Sequence, residues 1–426
     1  MKDSHGSKRE PKNRDVSGVS NVLKAPENGA LALLGNNYEN TSPPPDENQL
    51  EKQRFELQKS QRNRRDLLTI QHGIRRLIIR RGQEEGKDNP IAWHRTGLCR
   101  YAMLGALVGW NLTPEKRAFV SGTMICGSVW TCPVCTALIQ EQRRQELAKV
   151  MEWARAKGFV PVMVTLTFPH RAWQSIEELL AMQAKALILL RKGAPWDRFK
   201  KFIGYQAHVR SLEITYGQNG WHPHTHEMYF IRAGVDHELF TQKIKSLWDS
   251  ACRRAGLLDL PDFSQAAFDQ HAVDVKTNCS TIDYLVKLDR SKRRSIAADA
   301  EMTKSAKKTG YGGFYEGVHP FGLVDLFLQG SFEAGERFLD YVSAMKGKRQ
   351  LVFSPGLKKR AGLQEKTDEE VADEAPVGSV IVAMMGDHDW SLVRGRNLPF
   401  ALEALENGGF DGLVAYVRKR YEESRK

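Results

Sequence analysis

The sequence predicts an α+β protein, and three observations predict it. Residues 208–231 read as a β-hairpin, with the turn signal Gly217-Gln218-Asn219-Gly220 between two strand-like runs. Residues 159–168 are almost continuously apolar and β-branched, as a strand covered on both faces is. Around them, 136–157, 175–192 and 237–255 carry apolar residues at helical spacing.

The hairpin is the chemically dense element. Strand side chains alternate between faces, so His224 and His226 project from one face about 7 Å apart and can converge on one ion. Met228 and Phe230 continue that face into the core. With 217–220 as the turn, Tyr216 pairs with Trp221, and counting back sets Glu213 opposite His224. Two imidazoles and a carboxylate suit Mg²⁺ or Mn²⁺, with positions left for a substrate phosphate. The competing reading is a pair of solvent-facing strand histidines. His222 shares the face as an auxiliary candidate ligand, and Pro223 implies an edge or a bulge.

A chain of 426 residues can form one large or two to three smaller domains. Lys and Arg number 63 against 51 Asp and Glu, a net charge of +12, and the basic residues come in runs. A polyanionic partner, nucleic acid first, follows from that balance, although ribosomal and membrane-surface proteins share it. No apolar run approaches the roughly 20 residues of a membrane span, and no apolar signal segment stands at the N-terminus. A cytoplasmic protein with no membrane partner is expected.

Residues 1–50 are polar and without periodicity, hence expected to be disordered. Residues 51–98 read as a basic helical arm, with Phe55, Leu67, Ile74, Leu77 and Ile78 among Arg62, Arg64, Arg65, Arg75, Arg76, Arg80 and Arg81. Its charges are either a solvated face or a DNA contact. Residues 99–158 form a cysteine element and a helix. The pair Cys132-Pro133-Val134-Cys135 offers two thiolates to a tetrahedral Zn²⁺, and Cys99 and Cys126 complete a four-sulfur structural site. A redox pair or packed thiols are the alternatives, while Cys252 and Cys279 read as core residues. The following helix, 136–157, is set to pack through Leu138, Leu147, Val150, Met151 and Ala154 and to close at Gly158.

Residues 159–300 are the expected catalytic domain. Near its end Tyr284 and Lys287 are neighbours on one face of a helix over 280–294. A phenol with a pKa near ~10 attacks poorly unless its electrophile is polarised or a cation such as Lys287 steadies the phenolate. Taken alone, this pair is more simply a structural tyrosine beside an exposed lysine. Residues 301–360 are a basic continuation, helical over 321–345 and suited to phosphate contacts over 346–359. Residues 361–376 read as an acidic linker, and 377–426 as a small unit of short strands and then helices.

In chain order, the Cys-Pro-X-Cys run (132–135), Thr165-Leu166-Thr167, His222-Pro223-His224-Thr225-His226 and Tyr284-X-X-Lys287 resemble the rolling-circle replication initiators, or Rep proteins, of small plasmids and some phages, within the HUH endonuclease superfamily. The segment Gly347 to Leu351 is a further likeness. The resemblance implies a central antiparallel sheet with flanking helices, similar to ferredoxin-like and RNA-recognition domains, preceded by a zinc element. It implies a divalent ion held by His224, His226 and Glu213, nucleophilic attack by Tyr284 on single-stranded origin DNA, and a 5′-phosphotyrosine with a free 3′-hydroxyl primer. Thr165 and Thr167 would shape the site, and Trp221 would be available to stack on a base. Plasmid or phage origin DNA, a host helicase and a DNA polymerase are the implied partners, in a bacterial cytoplasm. One pattern departs: some single-tyrosine members carry a glutamate four residues before the tyrosine, where this chain has Ser280. A transposase or mobilisation relaxase of the same superfamily, and a non-catalytic zinc DNA-binding protein, are the two competing readings.

Overall fold

A computed structural model describes residues 47–277 and 317–426. The expected disordered N-terminus up to 46, and the stretch containing Cys279, Tyr284, Lys287 and the basic loop at 304–313, lie outside the described residues. The strands are β1 (Val108–Leu112), β2 (Ala118–Ser121), β3 (Val160–Leu166), β4 (Ala207–Gly217), β5 (Gly220–Ile231), β6 (Val273–Thr277), β7 (Leu351–Phe353) and β8 (Val380–Met385). They form two antiparallel sheets with helices around them, the α+β class that the sequence predicts.

The chain divides into two compact units. One contains the described residues of 47–65, 99–124 and 375–426. Its sheet has the order β2-β1-β8, with Trp110 of β1 opposite Val120 and Ala383. Trp110 and Trp390 are fully buried and meet edge to face at 6.2 Å. The C-terminal helix Leu398–Ser424 is kinked at Gly409 and buries Glu406, which accepts hydrogen bonds from Gln61 (2.9 Å), Arg64 (2.8 Å) and the Ala118 amide (2.8 Å). The predicted strand-then-helix order of 377–426 is present. Its strand, however, is completed by β1 from far earlier in the sequence, because β8 alone has no ladder to close.

The other unit contains 66–98, 125–277 and 317–374 of the described residues. Its sheet has the order β6-β3-β5-β4-β7, which makes β5 the middle strand. Helix Pro133–Ala156 covers one face: Leu147, Val150, Met151 and Ala154 bury against Met163, Val209, Met228 and Phe230. Helix His237–Ala255, with the helix Ala194–Ile203, covers the other through Phe240, Trp196 and Tyr229. The two prolines in these strands fall where the ladder does not need their missing N–H. Pro161 precedes the first β6 partner of β3, Val162, and Pro223 lies beyond Thr225, the last β5 residue paired with β3. Pro223 thus occupies a stretch with one neighbour, and its register is unbroken rather than bulged.

Several local expectations are corrected here. Leu138 is exposed, and Ile139 takes its place in the core. The helical run at 321–345 is two helices, Pro320–Leu328 and Phe332–Ala344. Gly330 adopts φ 107°, and Ser331 caps the second helix by accepting from Ala334. The acidic stretch read as a linker contains helix Asp368–Asp373, with a capping box between Thr367 and Glu370, and Asp368 pairs with Arg143 at 2.7 Å. The basic helix is Glu47–Glu84, and it is not a free arm. Ile74, Leu77 and Ile78 are fully buried, Arg80 and Arg81 pair with Glu336, and Arg64 and Arg65 pair with Glu406 and Glu403.

Candidate metal centre and active site

The hairpin register brings the candidate ligands together. Gly217 pairs with Gly220, closing the four-residue turn around Gln218-Asn219 that the sequence predicts. Tyr216 pairs with Trp221 and Glu213 with His224, as the sequence count requires. His224 Nε2 and His226 Nε2 both converge on Glu213 Oε2, at 3.1 and 3.2 Å. All three side chains are largely withdrawn from solvent, and their ligand atoms lie within 4.8 Å of one another.

The other ring nitrogens are held from behind. His224 Nδ1 donates to the His222 carbonyl at 3.4 Å, and His226 Nδ1 meets Thr165 Oγ1 at 3.0 Å. Thr165 reaches the site because β3 sets it directly opposite His226. A neutral imidazole that donates from Nδ1 presents a lone pair at Nε2. In that tautomer His224 Nε2 and Glu213 Oε2, 3.1 Å apart, would both offer lone pairs to a shared cation. The donor set fits a divalent ion, with His224 anchored in the manner usual for metal-binding histidines.

His222, on the same face, is not in this tight group; its Nδ1 lies 2.7 Å from His170 Nε2. Sequence reasoning missed His170, a single histidine in the turn after β3 that only the folded register brings to the hairpin. Burial holds His170 below the usual histidine range. Thr167 faces away, donating to the His271 carbonyl at 3.2 Å. Trp221 is buried, stacked on Tyr341 at 5.8 Å, so its expected role as a base-stacking surface is corrected. Tyr284 and Lys287 lie outside the described residues.

The reverse face of β5 is charged and dry. Glu227 is fully buried, bound by Arg191 and by the Tyr229 hydroxyl. Burial pushes its carboxyl up, but the Arg191 guanidinium prevails and leaves it below the usual carboxylate range. His208, opposite Tyr229, is lowered to about 4 by burial.

The cysteine cluster has the chemistry of a second metal site. Cys126, Cys132 and Cys135 are buried, with their sulfurs within 4.8 Å of one another, and Cys126 and Cys135 stand 3.7 Å apart without a disulfide. Tetrahedral Zn²⁺ with bonds of about 2.3 Å spaces its sulfurs by about 3.8 Å. Cys132 caps helix Pro133–Ala156, whose N-terminal dipole favours a thiolate. Gln71 Nε2 donates to Cys132 Sγ at 3.4 Å and the Ser128 amide to Cys126 Sγ at 3.5 Å. Cys99 is buried as well and is the first residue of the other unit, immediately after Leu98.

In the basic stretch at 346–359, Lys346, Lys348, Arg349 and Lys359 are exposed. Lys358 is not available for phosphate contacts: it is buried against Glu146 at 3.3 Å. No described helix is long and apolar enough to cross a membrane.

Residues 117–380 match a family model described as replication protein. The chain belongs to that replication protein family. The matched residues include β3, the whole hairpin and Cys126, Cys132 and Cys135, so the Glu213 site falls within the family region and Cys99 lies outside it. A protein described as Protein rep, from Streptomyces lividans, is 27% identical over 317 residues, which are 59% of this chain and 66% of that protein. A Neomycin resistance protein from Streptomyces cyanogenus is 27% identical over 180 residues, 34% of this chain and 41% of that one. The chain thus spans less than two thirds of either relative's length. No solved structure matches it.

Proposed function

We propose that this chain is a cytoplasmic initiator of rolling-circle replication in bacteria, of the HUH endonuclease class, that nicks single-stranded plasmid or phage origin DNA by tyrosine transesterification. The observation that carries this reading is the convergence of His224 and His226 on Glu213 within a replication-protein region.

A divalent ion such as Mg²⁺ or Mn²⁺ held by Glu213, His224 and His226 supplies positive charge for the scissile phosphate. The Tyr284 phenol oxygen forms the new bond to phosphorus, the bond to the 3′-oxygen breaks, and that oxygen leaves as the 3′-hydroxyl primer. Lys287 steadies the phenolate before attack. The 5′ side stays on the enzyme as a phosphotyrosine, which conserves the phosphodiester for rejoining by a later 3′-hydroxyl. That balance needs no nucleotide hydrolysis, in keeping with a sequence that has no Gly-Lys-Ser or Gly-Lys-Thr phosphate loop. A host helicase and DNA polymerase take up strand separation and synthesis. Lys346, Lys348, Arg349 and Lys359 are proposed to hold the DNA backbone. Cys126, Cys132 and Cys135, with Cys99 as the fourth sulfur that the sequence implies, are assigned to a structural Zn²⁺.

The test is a covalent adduct on a denaturing gel, from the full chain, Mn²⁺ and labelled single-stranded oligonucleotides tiling the cognate replicon on both strands. Wild type is expected to form the adduct, and Tyr284→Phe and the double variant His224→Ala/His226→Ala are not. Adduct from Tyr284→Phe overturns the nucleophile; no adduct from wild type on any oligonucleotide overturns the nicking reading.

A further inference from the structure

A single strand of DNA offers bare base faces, which a protein holds by stacking them on exposed aromatic rings. Of the nine tryptophans only Trp173 is exposed, at 69%, and the other eight are buried or half-buried. Its indole makes no ring contact and no hydrogen bond with a described residue. Phe332 is as open at 70%, but Arg80 lies 5.9 Å over its ring and Phe327 meets it edge on. An uncovered indole has a place in the fold only if something outside the chain covers it.

The backbone under Trp173 is fixed in advance. The Gln174 amide donates to the Arg171 carbonyl at 3.0 Å, which closes a turn with Ala172 and Trp173 at its centre. The Arg171 amide donates in return to the buried Gln174 Oε1 at 2.8 Å. The Arg171 guanidinium is taken up by Asp262, with Nε 3.0 Å from one carboxylate oxygen and 3.1 Å from the other. This turn is also pressed on the hairpin that carries the candidate metal ligands. Gly220 has φ 79°, and a Cβ there would come within 2.9 Å of Ala172 Cα, so the close approach requires glycine. His170 lies 2.9 Å from the Asn219 carbonyl and 2.7 Å from His222, which shares its face of the sheet with His224 and His226. Four residues of strand, about 13 Å, separate Gly220 from His224.

We propose that Trp173 is a stacking platform for a nucleobase of single-stranded DNA whose backbone passes the Glu213 site. The proposal rests on the DNA reading of that site. The net charge of +12 draws in a polyanion, and a rigid indole beside the hairpin holds one of its bases a few nucleotides from the reacting phosphate. Every base has a π-face, so Trp173 adds affinity without choosing a sequence. With Arg171 already engaged by Asp262, the contact is to a base and not to a phosphate.

The experiment titrates the full chain into a fluorescein-labelled all-thymine oligonucleotide without divalent ions and reads anisotropy. It is repeated with an abasic strand of the same length, which keeps the phosphates and lacks the bases. The variants are Trp173→Ala, Trp173→Leu and Trp173→Phe. Trp173→Ala and Trp173→Leu are each expected to weaken binding of the thymine strand about fivefold or more, and Trp173→Phe by less than about twofold. All four proteins are expected to bind the abasic strand alike, with the same salt slope, because no phosphate contact is lost. Unchanged affinity of Trp173→Ala for the thymine strand overturns the platform while the DNA reading stands. Wild-type affinity in Trp173→Leu shows an apolar contact without stacking, and an equal loss by Trp173→Ala on the abasic strand shows an effect that is not on a base; either overturns the proposal. If wild type binds neither strand, the DNA reading fails with it.

Discussion

Thr165 carries the site from behind, and its role is testable separately from the ligands. Thr165→Val removes the hydroxyl that holds His226 Nδ1 and is expected to weaken Mn²⁺ about tenfold, whereas Thr165→Ser keeps near wild-type affinity. A second residue-scale prediction concerns acid. His94 and His208 are lowered from 6.5 to about 4, each by burial first. Between pH 6.5 and 4 the unfolded chain therefore binds protons that the folded chain does not, and stability falls as pH falls through that window. Each histidine contributes a loss of up to about 3 kcal/mol. Thermal melts across it should steepen for wild type and flatten in His208→Gln. Glu213 and His224 were legible in the sequence because a strand period of two and a short turn fix who faces whom. His170 was not, because nothing local ties the turn after β3 to the hairpin.

At the scale of elements, helix Pro133–Ala156 joins the cysteine cluster to the sheet. It starts at Cys132 and lays Leu147, Val150, Met151 and Ala154 on Met228 and Phe230. Phe230→Ala empties a fully buried site beneath it and is expected to cost about 3–5 kcal/mol in denaturant unfolding. If the proposed Zn²⁺ is bound, Cys132→Ala is expected to lose it, measured by elemental analysis, and to lower the melting temperature, as a chelator is expected to do for wild type. Strands β3, β4 and β5, the helices over 175–192 and 237–255, and this helix were readable from their hydrophobic patterns, whereas the short strands β1, β2, β6 and β7 were not. The helix within 364–376 was not: its composition is acidic, and the Arg143 pair and the burial of Val371 and Ala372 add tertiary support to its local capping box. The break at Gly330 was likewise hidden inside a run that is apolar on both sides.

At the scale of the molecule, the net charge of +12 predicts DNA binding that weakens steeply with salt. With six to ten phosphate contacts, affinity falls by at least roughly 10³ between 50 and 200 mM salt. Fluorescence anisotropy over that range checks it. A flat response would argue against a backbone-held substrate. Removing 377–426 takes away β8 and the helix that buries Glu406, leaving β1 with one neighbour and Trp110 without Trp390. Limited proteolysis of the truncated chain is expected to cut within 99–124, where the full chain resists.

What the sequence by itself determined is what short-range periodicity encodes: the α+β class, the hairpin, its register, and hence the meeting of Glu213, His224 and His226. The pairing of β1 with β8, the burial of Trp221 under Tyr341, the inward turn of Lys358 and the contact of His170 with His222 were decided only by tertiary structure. Each joins residues far apart in the chain, and no local propensity specifies which distant surface a strand edge, a ring or a charge will meet.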